Sequence, residues 1–228
     1  MKTTTISPNV TQLTRFGLVN AYLVEEDDGF TLVDTMVRGS GKKLVAAAAD
    51  LGATIVRITA THAHDDHIGA LAELTKLLPD AEVVVGKRDG RFIHGDKTLD
   101  PGEPKGRLVR ATPAPGVKFD REVIEGDQIG SLRIHTAPGH SPGQIAMFDE
   151  RDSVLISADS FSTVGGVATT AGPYWRFPLP GFVTWNRELA LESAVKLRGL
   201  DPDWLAPGHG KPVPKPGSAM DVAIAKRA

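Results

Sequence analysis

His62-Ala63-His64-Asp65-Asp66-His67 holds three of the seven histidines of this 228-residue chain within six positions. The residues before it, 54–60, are β-branched and apolar and read as a buried strand. After it, Ile68, Leu71, Leu74, Leu77 and Leu78 recur at helical spacing until Pro79 ends the run. The motif therefore stands at the carboxyl end of a strand, where open α/β architectures place their ligand sites. In extended backbone His62 and His64 point the same way and offer two imidazoles to one ion. Asp66 and His67 follow in a tight turn and can face a second ion. His67 also opens the expected helix, whose positive end favours anions. Imidazole and carboxylate donors suit zinc, iron, manganese or cobalt.

Three segments farther along repeat this context, which argues against a polar loop that merely displays histidines. His140 follows the strand 132–135, Asp159 follows the apolar run 155–158, and His209 follows a short strand at 204–206. Each stands where a strand meets a glycine or small-residue loop. A carboxylate ending a buried run is costly unless it is partnered. Asp34 ends the strand 31–33 in the same way. The remaining histidines carry no such context: His94 reads as a solvated residue and His135 as a strand residue.

Further outward the chain reads as two similar halves, each rich in strands and closed by helices. Strands are expected at 10–14, 18–25, 29–34, 82–85, 128–136, 144–149 and 153–158. Helices are expected at 42–51, 184–197 and 218–226. Residues 86–118 hold Pro101, Pro104, Pro113 and Pro115 among glycines and basic residues. They read as a long surface insert with a short helix near 89–93, the kind of excursion that serves as a lid. Residues 160–181 form a glycine-rich, aromatic loop.

Composition narrows the chemistry. The chain has no cysteine, so neither disulfides nor thiolate ligands enter, and any metal site is built from histidine and carboxylate. A net charge of −2 offers no basic stripe for nucleic acid or for an anionic membrane. No apolar run approaches membrane-spanning length, and residues 1–10 lack the apolar core of a signal peptide. The expectation is a cytoplasmic protein, a monomer or homodimer, acting on a small molecule.

Taken together, the four motifs resemble those of the metallo-β-lactamase superfamily over nearly the whole chain. The resemblance implies an α/β fold: one αββα sandwich spanning 1–228, with the metal site at the edge of its two sheets. It further implies that His62, His64 and His140 hold one metal, that Asp66, His67 and His209 hold a second, and that Asp159 bridges them. Asp34 would orient the histidine motif from behind. The expected cofactor is two zinc ions per chain, with iron, manganese or cobalt as alternatives. A hydroxide shared by the ions would attack a carbonyl carbon, and Asp66 would take the proton of the attacking water.

Within that superfamily, the absent cysteine and the bridging Asp159 favour lactonase-like or glyoxalase II-like relatives over true β-lactamases. Only 19 residues follow His209, which leaves no room for the helical C-terminal domain of glyoxalase II. Homoserine-lactone lactonases place a tyrosine three residues after the bridging aspartate, where this chain has Ser162. Tyr174 or Tyr22 is then the expected proton donor to the leaving group. Phe161, Ser162, Tyr174, Trp175, Phe177 and Phe182 are expected to wall an apolar substrate pocket; Trp185, on the following helix, reads as core. The activity so implied is opening of lactones or cleavage of related carboxylic esters. Alternatives are thioester hydrolysis, β-lactamase or phosphotriesterase activity, and an iron-dependent oxidoreductase of the same fold.

Overall fold

The computed structural model describes residues 1–227. Its strands form one continuous ladder. From edge to edge the order is Arg121–Val123, Glu82–Gly86, Ile55–Ala60, Gly29–Val33, Val19–Glu26, Trp204–His209, Val154–Ser162, Ile145–Asp149, Leu132–Thr136 and Gln128–Ile129. Among the described residues, the first and second halves of this path share one register pair, His209 with Val19. The ladder folds over at that seam into two facing sheets.

Alternation along the strands builds the layers. Val33, Tyr22 and Val24 of the first sheet meet Ile134, Met147 and Ile156 of the second in the space between the sheets. On the outer face of the first sheet, Leu32 and Ile58 pack under Leu44, Leu71 and Leu74 of helices Gly41–Asp50 and Leu71–Leu77. On the outer face of the second, Ala146, Leu155 and Leu205 pack under Ala194, Leu197 and Met220 of helices Arg187–Arg198 and Gly217–Ala225. Each fully buried leucine contributes roughly 1.5–3 kcal/mol relative to exposure. This is the αββα sandwich expected from the sequence. Among the described residues no helix is long and apolar enough to cross a membrane.

Several elements differ from expectation. The helix after the histidine motif is two pieces, Asp65–Ile68 and Leu71–Leu77. The first has four residues, too few to sum the peptide dipoles on which the expected anion-favouring helix end depends. The strand Lys2–Thr5 was unforeseen; its threonine run pairs with the edge of Val10–Arg15. The insert is not wholly superficial. Its helix Lys87–Ile93 buries Asp89 and Phe92, and its end returns as a β-bridge between His64 and Ala111. Thr112 N there donates to Ala63 O at 2.8 Å.

Candidate metal centre

The strand Ile55–Ala60 delivers Thr61 and the histidine motif to the open end of the first sheet, beside the seam. Asp34 leaves the neighbouring strand in left-handed backbone, φ +64°, a conformation aspartate tolerates better than most residues. There its Oδ1 accepts from Thr61 N at 2.7 Å, and its Oδ2 lies 2.7 Å from His67 Nδ1. His67 is thereby turned so that Nε2 faces the cluster. His62 Nδ1 contacts Thr61 Oγ1 at 3.0 Å, His140 Nδ1 contacts Thr184 Oγ1 at 3.0 Å, and His209 Nδ1 lies 3.3 Å from Leu18 O. In each of these four rings Nδ1 is engaged with the scaffold and Nε2 is left for the centre.

The donor atoms converge. His140 Nε2 lies 3.1 Å from His64 Nδ1 and 3.4 Å from Asp159 Oδ2. His209 Nε2 lies 3.2 Å from Asp159 Oδ2 and 3.5 Å from Asp66 Oδ2, and His67 Nε2 lies 3.6 Å from Asp159 Oδ1. Three sets of donors close enough to share an ion result: His62, His64 and His140; Asp66, His67 and His209; and His62, His67 and Asp159. The first two are the sets the resemblance implies, and Asp159 touches members of both.

The residues fit divalent metal. His62 Nε2, His67 Nε2 and Asp159 Oδ1 are buried without a hydrogen-bond partner, a costly state that a bound cation would relieve. Gly208 keeps the space open: a Cβ there would stand 2.1 Å from Asp159 Oδ1 and 2.8 Å from His67 Cε1. Electrostatics divide the donors: burial keeps the three-histidine set neutral, and the carboxylates raise His67 and His209. Burial, with the neighbouring imidazoles, pushes His62 and His64 well below the usual histidine range, and burial pushes His140 down to about 4. For His67 burial acts the same way, but Asp34 and Asp159 outweigh it and hold the ring up at about 10. Asp159, although buried, is held well below the carboxylate range by His209 and His67.

Other expected site residues fall elsewhere. Tyr22 is buried between the sheets; its hydroxyl donates to Pro207 O at 2.5 Å, and burial beside Asp34 raises its pKa. It is a scaffold residue and not a proton donor to substrate. Tyr174 spends its hydroxyl on Gly165 O at 3.0 Å. Phe161 lies wholly in the outer core of the second sheet, because register shifts and the positive φ of Ala158 turn its strand. Ser162 is buried, and its hydroxyl lies 3.4 Å from His209 O. Trp175 and Phe182 face solvent, and Trp175 carries the Arg176 guanidinium on its ring. Of the expected aromatic wall, Phe177 meets the cluster, its ring centroid 5.5 Å from that of His209. His94 is exposed and stacks on Phe119, and His135 pairs with Glu125.

Three residues at the site escaped sequence reasoning. Arg110 reaches from the insert to pair with Asp65 and sits 3.3 Å from Asp66 Oδ1. Gln144 Oε1 accepts from Asp159 N at 3.2 Å. Asp89 accepts from the loops bearing the first histidine set. Asp66, with its side chain 14% exposed, is the member of the donor set that reaches solvent most.

The sequence model described as the metallo-beta-lactamase superfamily matches residues 14–209. The chain belongs to the metallo-β-lactamase superfamily. Bacillus subtilis YobT, described as uncharacterized, is 39% identical over 209 residues, covering 91% of this chain and 90% of that one. "Probable metallo-hydrolase YflN" of the same organism is 28% identical over 217 residues, covering 86% and 82%. The solved structure of TTHA1623 in a di-iron-bound form superposes with a TM-score of 0.65 at 28% identity, covering 96% and 97%.

Proposed function

We propose that this protein is a dinuclear metal-dependent hydrolase that opens lactones or cleaves related carboxylic esters. One observation carries the reading: two complete donor sets, one of three histidines and one of Asp66, His67 and His209, with Asp159 between them. Bound divalent ions would polarise a carbonyl oxygen and lower the pKa of bound water to about 7. The name of YflN supports hydrolysis, and the di-iron form of TTHA1623 leaves iron beside zinc as a metal for this fold.

The chain's own residues supply the rest. Asp66 points Oδ2 toward His209 and Oδ1 toward Arg110 and the exterior, so it can hold a proton from water and release it outward. With Tyr22 buried and the Tyr174 hydroxyl engaged, Asp66 also becomes the route by which the leaving oxygen is protonated. Phe177 against His209 supplies an apolar surface for the acyl side of a substrate and limits water there.

A panel of lactones, aryl esters, thioesters, β-lactams and phosphotriesters, assayed at equal zinc loading, tests this. Lactones and esters should be turned over fastest. Preferential thioester cleavage would move the assignment to the glyoxalase II-like alternative. Turnover of none of them, with oxygen uptake by iron-loaded protein, would overturn hydrolysis.

A further inference from the structure

Asp89 lies on the helix Lys87–Ile93, which follows the strand Glu82–Gly86, and it is buried although charged residues are seldom placed so. Its donors come from two separate loops. Oδ2 accepts from Ala63 N at 3.0 Å and from Ser141 Oγ at 2.7 Å, and Oδ1 accepts from Gly143 N at 2.7 Å. Ala63 is the residue between His62 and His64, and Ser141 follows His140. The contact is close: a Cβ on Gly143 would stand 2.4 Å from Asp89 N and 2.6 Å from Asp89 Oδ1. Among the described residues its carboxylate bonds only to the segments carrying the three-histidine set, not to Asp66, His67 or His209.

We propose that Asp89 is a positioning residue that ties the His62–His64 loop to the His140 loop and so sets the metal affinity of the three-histidine site selectively. The physical case is preorganisation. The three imidazoles come from strands in opposite sheets, and their spacing is fixed only if the two loops are fixed to each other. A carboxylate with two oxygens can grip both loops at once, whereas a neutral amide presents N–H groups to at least one of these donors. Partners that orient ligands from behind typically alter metal affinity 10–100-fold when removed.

The inference rests on the reading that these histidines hold metal, and the experiment separates the two. Zinc is titrated into apo-protein against a chromophoric chelator. Fewer than two ions bound by the parent protein would refute the dinuclear reading itself. Asp89→Asn is then measured in two backgrounds. In His209→Ala, which spares the three-histidine site, it should weaken zinc at least tenfold. In His140→Ala, which spares the other set, it should change affinity less than twofold. The unfolding midpoint of the apo-protein should stay within a few degrees of its parent. Equal loss in both backgrounds, or no loss in either, would overturn selective positioning. Should Asp89→Asn fail to fold, Ser141→Ala removes one donor and leaves the carboxylate. Several-fold weakening of zinc in the His209→Ala background supports the proposal, and unchanged affinity refutes it.

Discussion

A single aspartate shows how the centre is prepared before any ion arrives. Asp34 combines left-handed backbone with hydrogen bonds to Thr61 and His67. Asn tolerates that backbone, so Asp34→Asn should fold, yet its zinc affinity should fall 10–100-fold as the grip on His67 weakens. Chelator competition checks this, and unchanged affinity would remove the orienting role. Tyr22 makes the opposite case. Tyr22→Phe deletes one donor to Pro207 O, which keeps Asn20 Nδ2 at 2.9 Å, so the cost should be near 1 kcal/mol in urea unfolding. Its kcat should stay within twofold; a hundredfold loss would restore Tyr22 as a proton donor. These two residues mark what sequence could and could not disclose. Asp34 was legible because it ends a strand beside the motif. Tyr22 was misjudged because strand alternation alone does not say which sheet face meets the other sheet.

At the level of elements, the helix Arg187–Arg198 is fastened to the second sheet by charge as well as by apolar packing. Lys196 Nζ lies 2.7 Å from Glu125 Oε2, which also accepts from Thr136 N at 2.6 Å. Partial burial pushes the Glu125 carboxyl up, but Lys196 and Thr136 outweigh it and hold it down to about 2. A depressed folded pKa contributes stability that is fully present above the unfolded value, about 4.3, and is lost as pH falls through the folded one. Glu125→Gln should therefore be less stable at neutral pH, by about 0.5 kcal/mol for so exposed a pair. The difference should shrink as pH falls from about 4.3 and close only below pH 2, which urea unfolding at a series of pH values would show; a pH-independent gap would contradict it. Strands and helices with strong periodicity were readable in the sequence because their burial is one-sided. Arg110 and Asp89 were not, because they reach the site from the 86–118 segment. Tertiary docking of Ala111 on His64, not local pattern, brings that segment back.

Across the whole molecule, the buried cluster is a thermodynamic liability that ligation turns into a gain. Zinc at a hundred times its dissociation constant adds about 2.7 kcal/mol per ion, roughly 5–10 °C in a chain of this size. Chelator-treated protein should melt lower by that much per ion, and calorimetry with and without zinc decides it. Identical midpoints would contradict metal binding at the cluster. Each of the three donor sets takes two residues from the first half of the fold and one from the second. Among the described residues the two halves of the ladder meet in a single register pair, His209 with Val19. Synthesis proceeds in the same direction, so a nascent chain on the ribosome presents paired donors long before their third partners can dock. Firm capture of metal is then expected only once the second half has docked, with His209 the last donor to arrive. A ribosome-stalled chain ending before Trp204 should surrender zinc to a weak chelator that the finished protein resists.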